Sequence, residues 1–313
     1  MNIQIIATGG TIGSRFDGDV VRLSEGTPEV AERYTREHGT AFDVRSPLHL
    51  LSERITPDDF SALARAVYDV DREQLDGVII TCGSDTIAYI AGFVGLLFGS
   101  DSYPLMIVAS NRVLSDVSSN GYENFCCAIK LIEAGVCGAL VPYRNTDGVM
   151  YVHEATALRS ADLCDNLHSL YDDVYAVYDG GLCERRRYHS EHIPNGVFSS
   201  LHPPVLQHKA LLLHPYPGFD PATVNLEGMD AVLHTLYHSS TLDPVALDGL
   251  LERSDVPMFL SSFRSGRKVY ETAAHAIDRG AVPLYDIAPE CAYMKLLLSV
   301  NQDVMPITQF MIG

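Results

Sequence analysis

The 313-residue chain contains no tryptophan and few basic residues, with 22 lysines and arginines against 40 aspartates and glutamates. Only four of the basic residues are lysines, namely Lys130, Lys209, Lys268 and Lys295. The formal net charge is −18, and a surface of that sign repels phosphate backbones and anionic lipid headgroups. We therefore expect neither nucleic acid nor a membrane as a partner.

The sequence also lacks a long apolar run, a basic leader and regularly spaced cysteines. No apolar segment reaches the length that spans a bilayer, and the N-terminus begins directly with a predicted strand. The seven cysteines are typical of reduced thiols rather than of a disulfide framework. These features predict a cytoplasmic protein. Its length predicts two folded domains, and its hydrophobic content of 47% is ordinary for a soluble globular protein.

The first predicted strand ends in a polar turn. Ile3, Ile5 and Ile6 form a β-branched run, and the segment Thr8-Gly9-Gly10-Thr11 interrupts it with residues that tolerate unusual backbone angles. Such a strand presents a hydroxyl at the carboxyl edge of a parallel sheet, where open α/β folds bind ligands. Thr11 is therefore a candidate nucleophile, although a Gly-Gly pair after a strand also occurs as a simple tight turn.

A second segment, from Asp76 to Thr86, has the same design. Its apolar Val-Ile-Ile run leads into a glycine turn with Ser84 and Asp85, and residues 87–97 are predicted to form an apolar helix. Two strand ends therefore offer hydroxyl groups and one carboxylate.

Strand and helix patterns continue to alternate along the chain. A third strand at 104–109 ends at Ser110, and a polar loop at 115–124 precedes a helix. This alternation predicts an α/β fold, with a doubly wound, mostly parallel sheet in a larger N-terminal domain and a smaller α/β C-terminal domain. We predict limits of 1–185 and 206–313 for the two domains, with a linker at 186–205.

The segments Thr8-Gly9-Gly10-Thr11-Ile12 and Gly83-Ser84-Asp85-Thr86 resemble the paired signatures of the bacterial-type L-asparaginase/glutaminase family. The resemblance covers most of the chain and continues at Leu51-Ser52-Glu53, at 115–124 and at 288–296. It implies an amidohydrolase that acts on an amino-acid amide without a cofactor or a metal. It also implies a homodimer or homotetramer in which the stretch 237–241 faces a neighbouring subunit.

The resemblance further implies roles for individual residues. Thr11 would be the nucleophile, Ser84 the second hydroxyl, and Asp85 both the relay carboxylate and a ligand of the substrate amino group. The implied substrate-binding residues are Ser52, Glu53, Gly83 and Ser110, with the backbone carbonyl of Ser110 facing the substrate amide. From the residues alone, Ser52 and Glu53 follow a short apolar run at 48–51 that is interpreted as a strand. A substrate-binding role and a solvated turn before a capped helix account equally well for these two residues.

Three positions depart from the family pattern. Cys82 replaces a histidine, and the segment 14–22 has Phe16 in place of a lid tyrosine, with the distant Tyr34 as an alternative source. The family's relay lysine would fall near 157–162, where the chain has none. Arg159 cannot act as a base, and Asp162 beside Asp85 would raise the pKa of one carboxyl group by like-charge repulsion. The proton relay of the family is therefore either rebuilt from other residues or absent.

These observations support three functional hypotheses. The first is an amidohydrolase for asparagine or a close analogue, and the second is a catalytically weakened homologue that binds an amino acid as a sensor or partner subunit. The third is the glutaminase-like subunit of a tRNA amidotransferase. The lack of basic character and of an extension before Met1 counts against that third hypothesis.

Overall fold

The computed structural model describes the chain except for residues 18–19, 24–27, 49–50, 99–102, 181, 186–202, 304 and 313. The chain forms two compact units, Met1–Pro203 and Pro204–Gly313. The boundary between them lies inside the segment predicted as the linker, 186–205, of which 186–202 lie outside the described residues. The predicted domain limits remain a prediction.

The N-terminal unit is built on an eight-stranded sheet with a small hairpin beside it. Its strands are β1 (Ile3–Ala7), β2 (Ser14–Asp17), β3 (Val20–Leu23), β4 (Phe42–Arg45), β5 (Gly77–Thr81), β6 (Pro104–Val108), β7 (Gly138–Arg144), β8 (Met150–Glu154), β9 (Ala176–Asp179) and β10 (Leu182–Arg185). Its α-helices are α1 (Glu29–His38), α2 (Pro57–Tyr68), α3 (Ile87–Phe98) and α4 (Gly121–Glu133).

The strand order in the large sheet is β10-β9-β8-β7-β6-β5-β1-β4. Strands β4, β1, β5, β6 and β7 run parallel, whereas β8, β9 and β10 add antiparallel pairs at one side. The carboxyl ends of the parallel strands therefore meet at one edge of the sheet, which is where open α/β folds bind ligands.

Burial explains why these segments form strands and helices. Every residue of β1, β5 and β6 is buried, as expected for parallel strands covered on both faces. All the described residues of α3 except Tyr89 are buried, which suits a helix that is apolar all round. Helix α2 begins with a capping box in which Thr56 and Asp59 bond each other's backbone groups, followed by Pro57 at the first helical position.

The C-terminal unit has a four-stranded parallel sheet with the order β11-β12-β13-β14. Its elements are β11 (Ala210–Leu213), β12 (Ala231–Thr235), α5 (Pro244–Leu251), β13 (Met258–Phe263), α6 (Glu271–Asp278), β14 (Val282–Tyr285), α7 (Pro289–Val300) and α8 (Ile307–Ile312). The predicted fold class is confirmed by both units.

Two local predictions were wrong, and one of the open alternatives for the lid tyrosine lies in the core. The polar, glycine-rich segment after Thr11, which its sequence predicts to be a loop, forms the strands of the β2–β3 hairpin. The strand before Ser52 is β4 (Phe42–Arg45) rather than 48–51, of which 49–50 lie outside the described residues. Tyr34 is only 4% exposed and packs edge-on against Phe42 and Phe125, so it belongs to the core. The side chain of Phe16 lies outside the described residues.

None of the described helices is long and apolar enough to cross a membrane.

Candidate active site

The candidate site lies where the turns after β1 and β5 meet. The two strands are parallel neighbours with Ala7 opposite Thr81, so the segments that follow leave the same edge of the sheet. Thr8 ties the turns together, because its backbone N–H and its hydroxyl both donate to the carbonyl of Thr81, each at 3.0 Å.

Two glycines bring these turns into direct contact. A Cβ placed on Gly10 would lie 2.2 Å from the backbone nitrogen of Gly83, which is too close for two non-bonded atoms. Gly10 also has a φ of 78°, in the region that favours glycine. Glycine at position 10 is therefore required both for its backbone angle and for the approach of the second turn.

Thr11 follows Gly10 at the start of the 3₁₀ turn Thr11–Gly13 and is partly exposed. The turn is held by two bonds to the carbonyl of Gly10, one from the Gly13 N–H at 3.0 Å and one from the Ser14 hydroxyl at 2.8 Å. The backbone that carries Thr11 is thus fixed on both sides of the residue.

Ser52 and Asp85 join a third turn to this pair. The Ser52 hydroxyl donates to Asp85 Oδ2 across 3.2 Å, and a Cβ on Gly83 would lie 2.4 Å from the Cβ of Ser52. Glu53 is exposed in the same 3₁₀ turn, Ser52–Arg54. Ser52 therefore contacts both Gly83 and Asp85, and Thr11 is the residue after Gly10, which lies against Gly83.

The second turn combines exposed and buried polar groups. Ser84 is partly exposed and Asp85 is exposed, so both are accessible to a small molecule. The hydroxyl of Thr86 is buried without a hydrogen-bond partner among the described residues. Cys82 is completely buried, and this burial raises the pKa of its thiol, so the residue that replaces the family histidine is a neutral packing group.

Ser110 is buried and uses its side chain inside the loop that follows β6. Its hydroxyl donates to the carbonyl of Arg112 and lies 2.9 Å from the hydroxyl of Ser119. The described contacts of Ser110 thus brace the loop, whereas the sequence had suggested a role for its backbone carbonyl.

Sequence reasoning missed a pair of asparagines that close the same loop. The Asn111 N–H donates to Asn120 Oδ1 and the Asn120 N–H donates to Asn111 Oδ1, each at 3.0 Å. The nine-residue separation carries no periodic signal, although asparagines that bond backbone groups are common in loops. This clamp holds the segment 112–119 beside the end of β6.

Comparison with known proteins shows to which family the chain belongs. The family profile described as "Asparaginase, N-terminal" matches residues 2–163, which is 162 of the 313 residues. The chain belongs to the asparaginase family. Its similarity to an L-asparaginase of Thermococcus kodakarensis is 24% identity over 96% of this chain and 93% of the relative.

Other proteins similar to this chain carry a different name. A glutamyl-tRNA(Gln) amidotransferase subunit from Methanosarcina mazei is 25% identical over 96% of this chain and 74% of its own length. Two solved structures share the fold with a TM-score of 0.77, namely the L-asparaginase of T. kodakarensis (20% identity, 99% and 97% coverage) and a probable cytoplasmic L-asparaginase of Campylobacter jejuni (19% identity, 99% and 98% coverage).

The segment where the family lysine is expected belongs to a loop whose residues form hydrogen bonds with one another. Asp162 Oδ1 accepts from the backbone N–H groups of Cys164 at 2.8 Å and Asn166 at 3.0 Å. Its Oδ2 lies 3.3 Å from Nε2 of His168, and these bonds lower the pKa of Asp162 to about 2. Asp162 therefore organises its own loop as a charged carboxylate, which makes it a poor proton acceptor.

Proposed function

We propose that this asparaginase-family protein hydrolyses the side-chain amide of L-asparagine, or of a close analogue, to the acid and ammonia. The approach of Gly10 to Gly83 carries the proposal, because it sets Thr11 beside the turn with Ser84 and Asp85 at one sheet edge. That edge offers the hydroxyl groups that acyl transfer uses, together with carboxylates suited to a substrate ammonium group.

In the proposed reaction the Thr11 hydroxyl attacks the amide carbon and forms an ester, while the amide nitrogen takes up a proton and leaves as ammonia. Water then attacks the ester, releases the acid and restores the threonine hydroxyl. Asp85, held by Ser52, supplies the countercharge to the substrate ammonium, and Glu53 adds a second negative charge. Ser84 offers a second hydroxyl, and proton transfer rests on these groups and on water.

Ammonia release by the purified protein tests this proposal directly, with L-asparagine and L-glutamine measured side by side. Thr11→Ala should abolish release, whereas Thr40→Ala removes a threonine hydroxyl outside the site and should leave it unchanged. Normal turnover in Thr11→Ala would contradict the assignment of the nucleophile. Higher turnover of glutamine than of asparagine would favour the role named for the amidotransferase relatives.

The alternative is a weakened homologue that binds an amino acid without turning it over. It is favoured by the lack of lysine at 157–162 and by the commitment of Asp162 to its own loop. Titration calorimetry with L-asparagine separates the two assignments, because heat of binding without ammonia release identifies the weakened homologue. Asp85→Ala should remove binding in either case, since it removes the countercharge of the ligand's ammonium group.

We further propose that the protein is a cytoplasmic homodimer or homotetramer. The stretch 237–241 predicted to face a neighbour contains Tyr237, which is 39% exposed beside Tyr270 at a cavity of about 500 Å³ in the C-terminal unit. Exposed aromatic rings at a concave surface suit a protein interface. Light scattering at micromolar concentration should give a dimer or larger, and a monomer would contradict the proposal.

A further inference from the structure

Ser14 follows the turn that carries Thr11 and is almost completely buried, with 3% of its surface exposed. Its hydroxyl donates to the carbonyl of Gly10 at 2.8 Å, and its backbone N–H donates to the carbonyl of Thr11. The proposed reaction does not use this residue. Ser14 nevertheless bonds the carbonyl groups on both sides of the candidate nucleophile.

These two bonds hold the two peptide groups that flank the α-carbon of Thr11. The Gly10 carbonyl belongs to the same planar peptide group as the Thr11 N–H, and the Thr11 carbonyl belongs to the next peptide group. With both planes held, the φ and ψ angles of Thr11 are set, and so is the direction of its Cα–Cβ bond. Only rotation about χ1 is left, and a β-branched side chain has few favourable positions for it.

The residues around Thr11 are themselves held in place. Ser14 is the first residue of β2, where it pairs with Leu23 of β3. Ile12, which directly follows Thr11, is fully buried in the hydrophobic core of the unit. Thr11 itself is partly exposed. A frame of buried groups therefore presents one accessible threonine at the edge of the sheet.

We propose that Ser14 is a positioning residue for the amide hydrolysis, whose hydroxyl holds the backbone of Thr11 so that the threonine hydroxyl meets the carbonyl carbon of the substrate. The inference rests on the proposed function, because it takes Thr11 as the nucleophile. Ser14 is buried and acts only through Thr11. Its loss should therefore slow the attack on the amide, whereas substrate affinity, which Asp85 and Glu53 supply through the ammonium group, should remain.

Ser14→Ala tests this role in steady-state kinetics with L-asparagine. The variant loses the hydroxyl bond, but the Gly13 N–H still donates to the Gly10 carbonyl at 3.0 Å, so the turn keeps part of its support. We expect kcat to fall about tenfold with KM nearly unchanged, since small displacements of a reacting group have large effects on rate. Ser14→Cys keeps a weak donor and should lose less, and it becomes the test variant if circular dichroism shows that Ser14→Ala is unfolded.

Ser61→Ala is the matched control. The Ser61 hydroxyl also donates to the carbonyl four residues earlier, that of Pro57 at 3.1 Å on α2, and Ser61 is likewise 3% exposed. This variant should lose similar stability in urea unfolding and keep the native kcat. An equal fall of kcat in Ser14→Ala and Ser61→Ala would show a general effect of lost stability and would overturn the proposal.

A second measurement separates this inference from the proposed function. The 4-nitrophenyl β-ester of L-aspartate should acylate the Thr11 hydroxyl, and its nitrophenolate leaves without taking a proton from the protein. Acylation therefore needs the nucleophile but no proton donor for ammonia. Initial release of nitrophenolate and mass spectrometry of the acylated peptide give the rate, which should be about tenfold lower in Ser14→Ala than in the native protein and in Ser61→Ala.

The two measurements together decide between the outcomes. Slower acylation in Ser14→Ala alone supports the inference even where L-asparagine releases no ammonia, and in that case only the proposed function fails. Native rates of acylation and turnover in Ser14→Ala would overturn the inference and leave the proposed function intact. Absence of an acyl group on Thr11 in the native protein would overturn both, because Thr11 would not be the nucleophile.

Discussion

Gly10 lies against the backbone of Gly83 so closely that a Cβ on Gly10 would be 2.2 Å from the Gly83 nitrogen. Gly10→Ala must therefore separate the turn with Thr11 from the turn with Ser84 and Asp85. We expect asparagine turnover to fall on the order of a hundredfold, because misplacement of reacting groups by about 1 Å has effects of that size. A coupled ammonia assay measures it.

Gly39→Ala is the matched control for backbone strain. Gly39 has a φ of 73°, close to that of Gly10, but a Cβ there would meet nothing within 4 Å. This variant should lose some stability and keep its turnover. If both variants lose turnover equally, general destabilisation rather than contact of the two turns is the cause.

The hydrogen bond from Ser52 to Asp85 should affect substrate binding more than chemistry. Ser52→Ala removes a donor that holds Asp85 in place at a half-exposed position, so we expect KM for asparagine to rise about fivefold with kcat nearly unchanged. Thr56→Ala is a suitable control, because it removes a hydroxyl–carboxylate bond at the cap of α2. It should lower the free energy of unfolding by about 1 kcal/mol without changing KM.

Much of the fold was accessible from sequence because single elements carried strong local signals. The β-branched run of β1 predicted a strand, and the capping residues of α2 predicted a helix, each at the place where the structure has it. The β2–β3 hairpin was missed because its four-residue strands are too short to show a period. Their pairing comes from contacts between the strands, which no local pattern states.

The candidate site was predictable only in part, for a similar reason. Motif residues located the turns after β1 and β5, and parallel pairing then brings them together. The approach of Gly10 to Gly83 and the Asn111–Asn120 clamp depend on three-dimensional contact between distant segments.

His153 should make the stability of the protein fall as the solution becomes acidic. His153 is 1% exposed on β8, and this burial lowers its pKa to about 3 in the folded chain, whereas an unfolded histidine has a pKa of about 6.5. Between these values the unfolded state binds one proton more than the folded state. The free energy of unfolding therefore falls by up to about 1.4 kcal/mol per pH unit from pH 6.5 toward pH 3.

The variant His153→Leu isolates this contribution. It lacks the proton uptake, so its free energy of unfolding should decline less steeply between pH 6.5 and 4 than that of the native protein. Urea unfolding followed by circular dichroism gives both slopes. Parallel slopes would show that His153 is protonated equally in the folded and unfolded states, contrary to its burial.

The last prediction concerns the lysine that the family pattern requires and this chain lacks. If Asp162 occupied the relay position, Asp162→Lys would restore the cation and raise turnover. In the structure its oxygens accept from Cys164, Asn166 and His168, so the replacement removes the acceptors that organise this loop. We therefore expect Asp162→Lys to lower stability without any gain in ammonia release.

Asp162→Asn separates the loss of charge from the loss of the acceptor, because an amide keeps one oxygen for the backbone donors. The pKa of Asp162 is lowered to about 2, so its carboxylate stabilises the fold above the unfolded pKa of about 3.9, and this contribution is lost as pH falls toward 2. The stability difference between the native protein and Asp162→Asn should accordingly shrink over that window. Asp255→Asn, at an exposed carboxylate of the other unit, serves as the charge control.

A clear rise in asparagine turnover in Asp162→Lys would contradict this account and would place residue 162 in the proton relay.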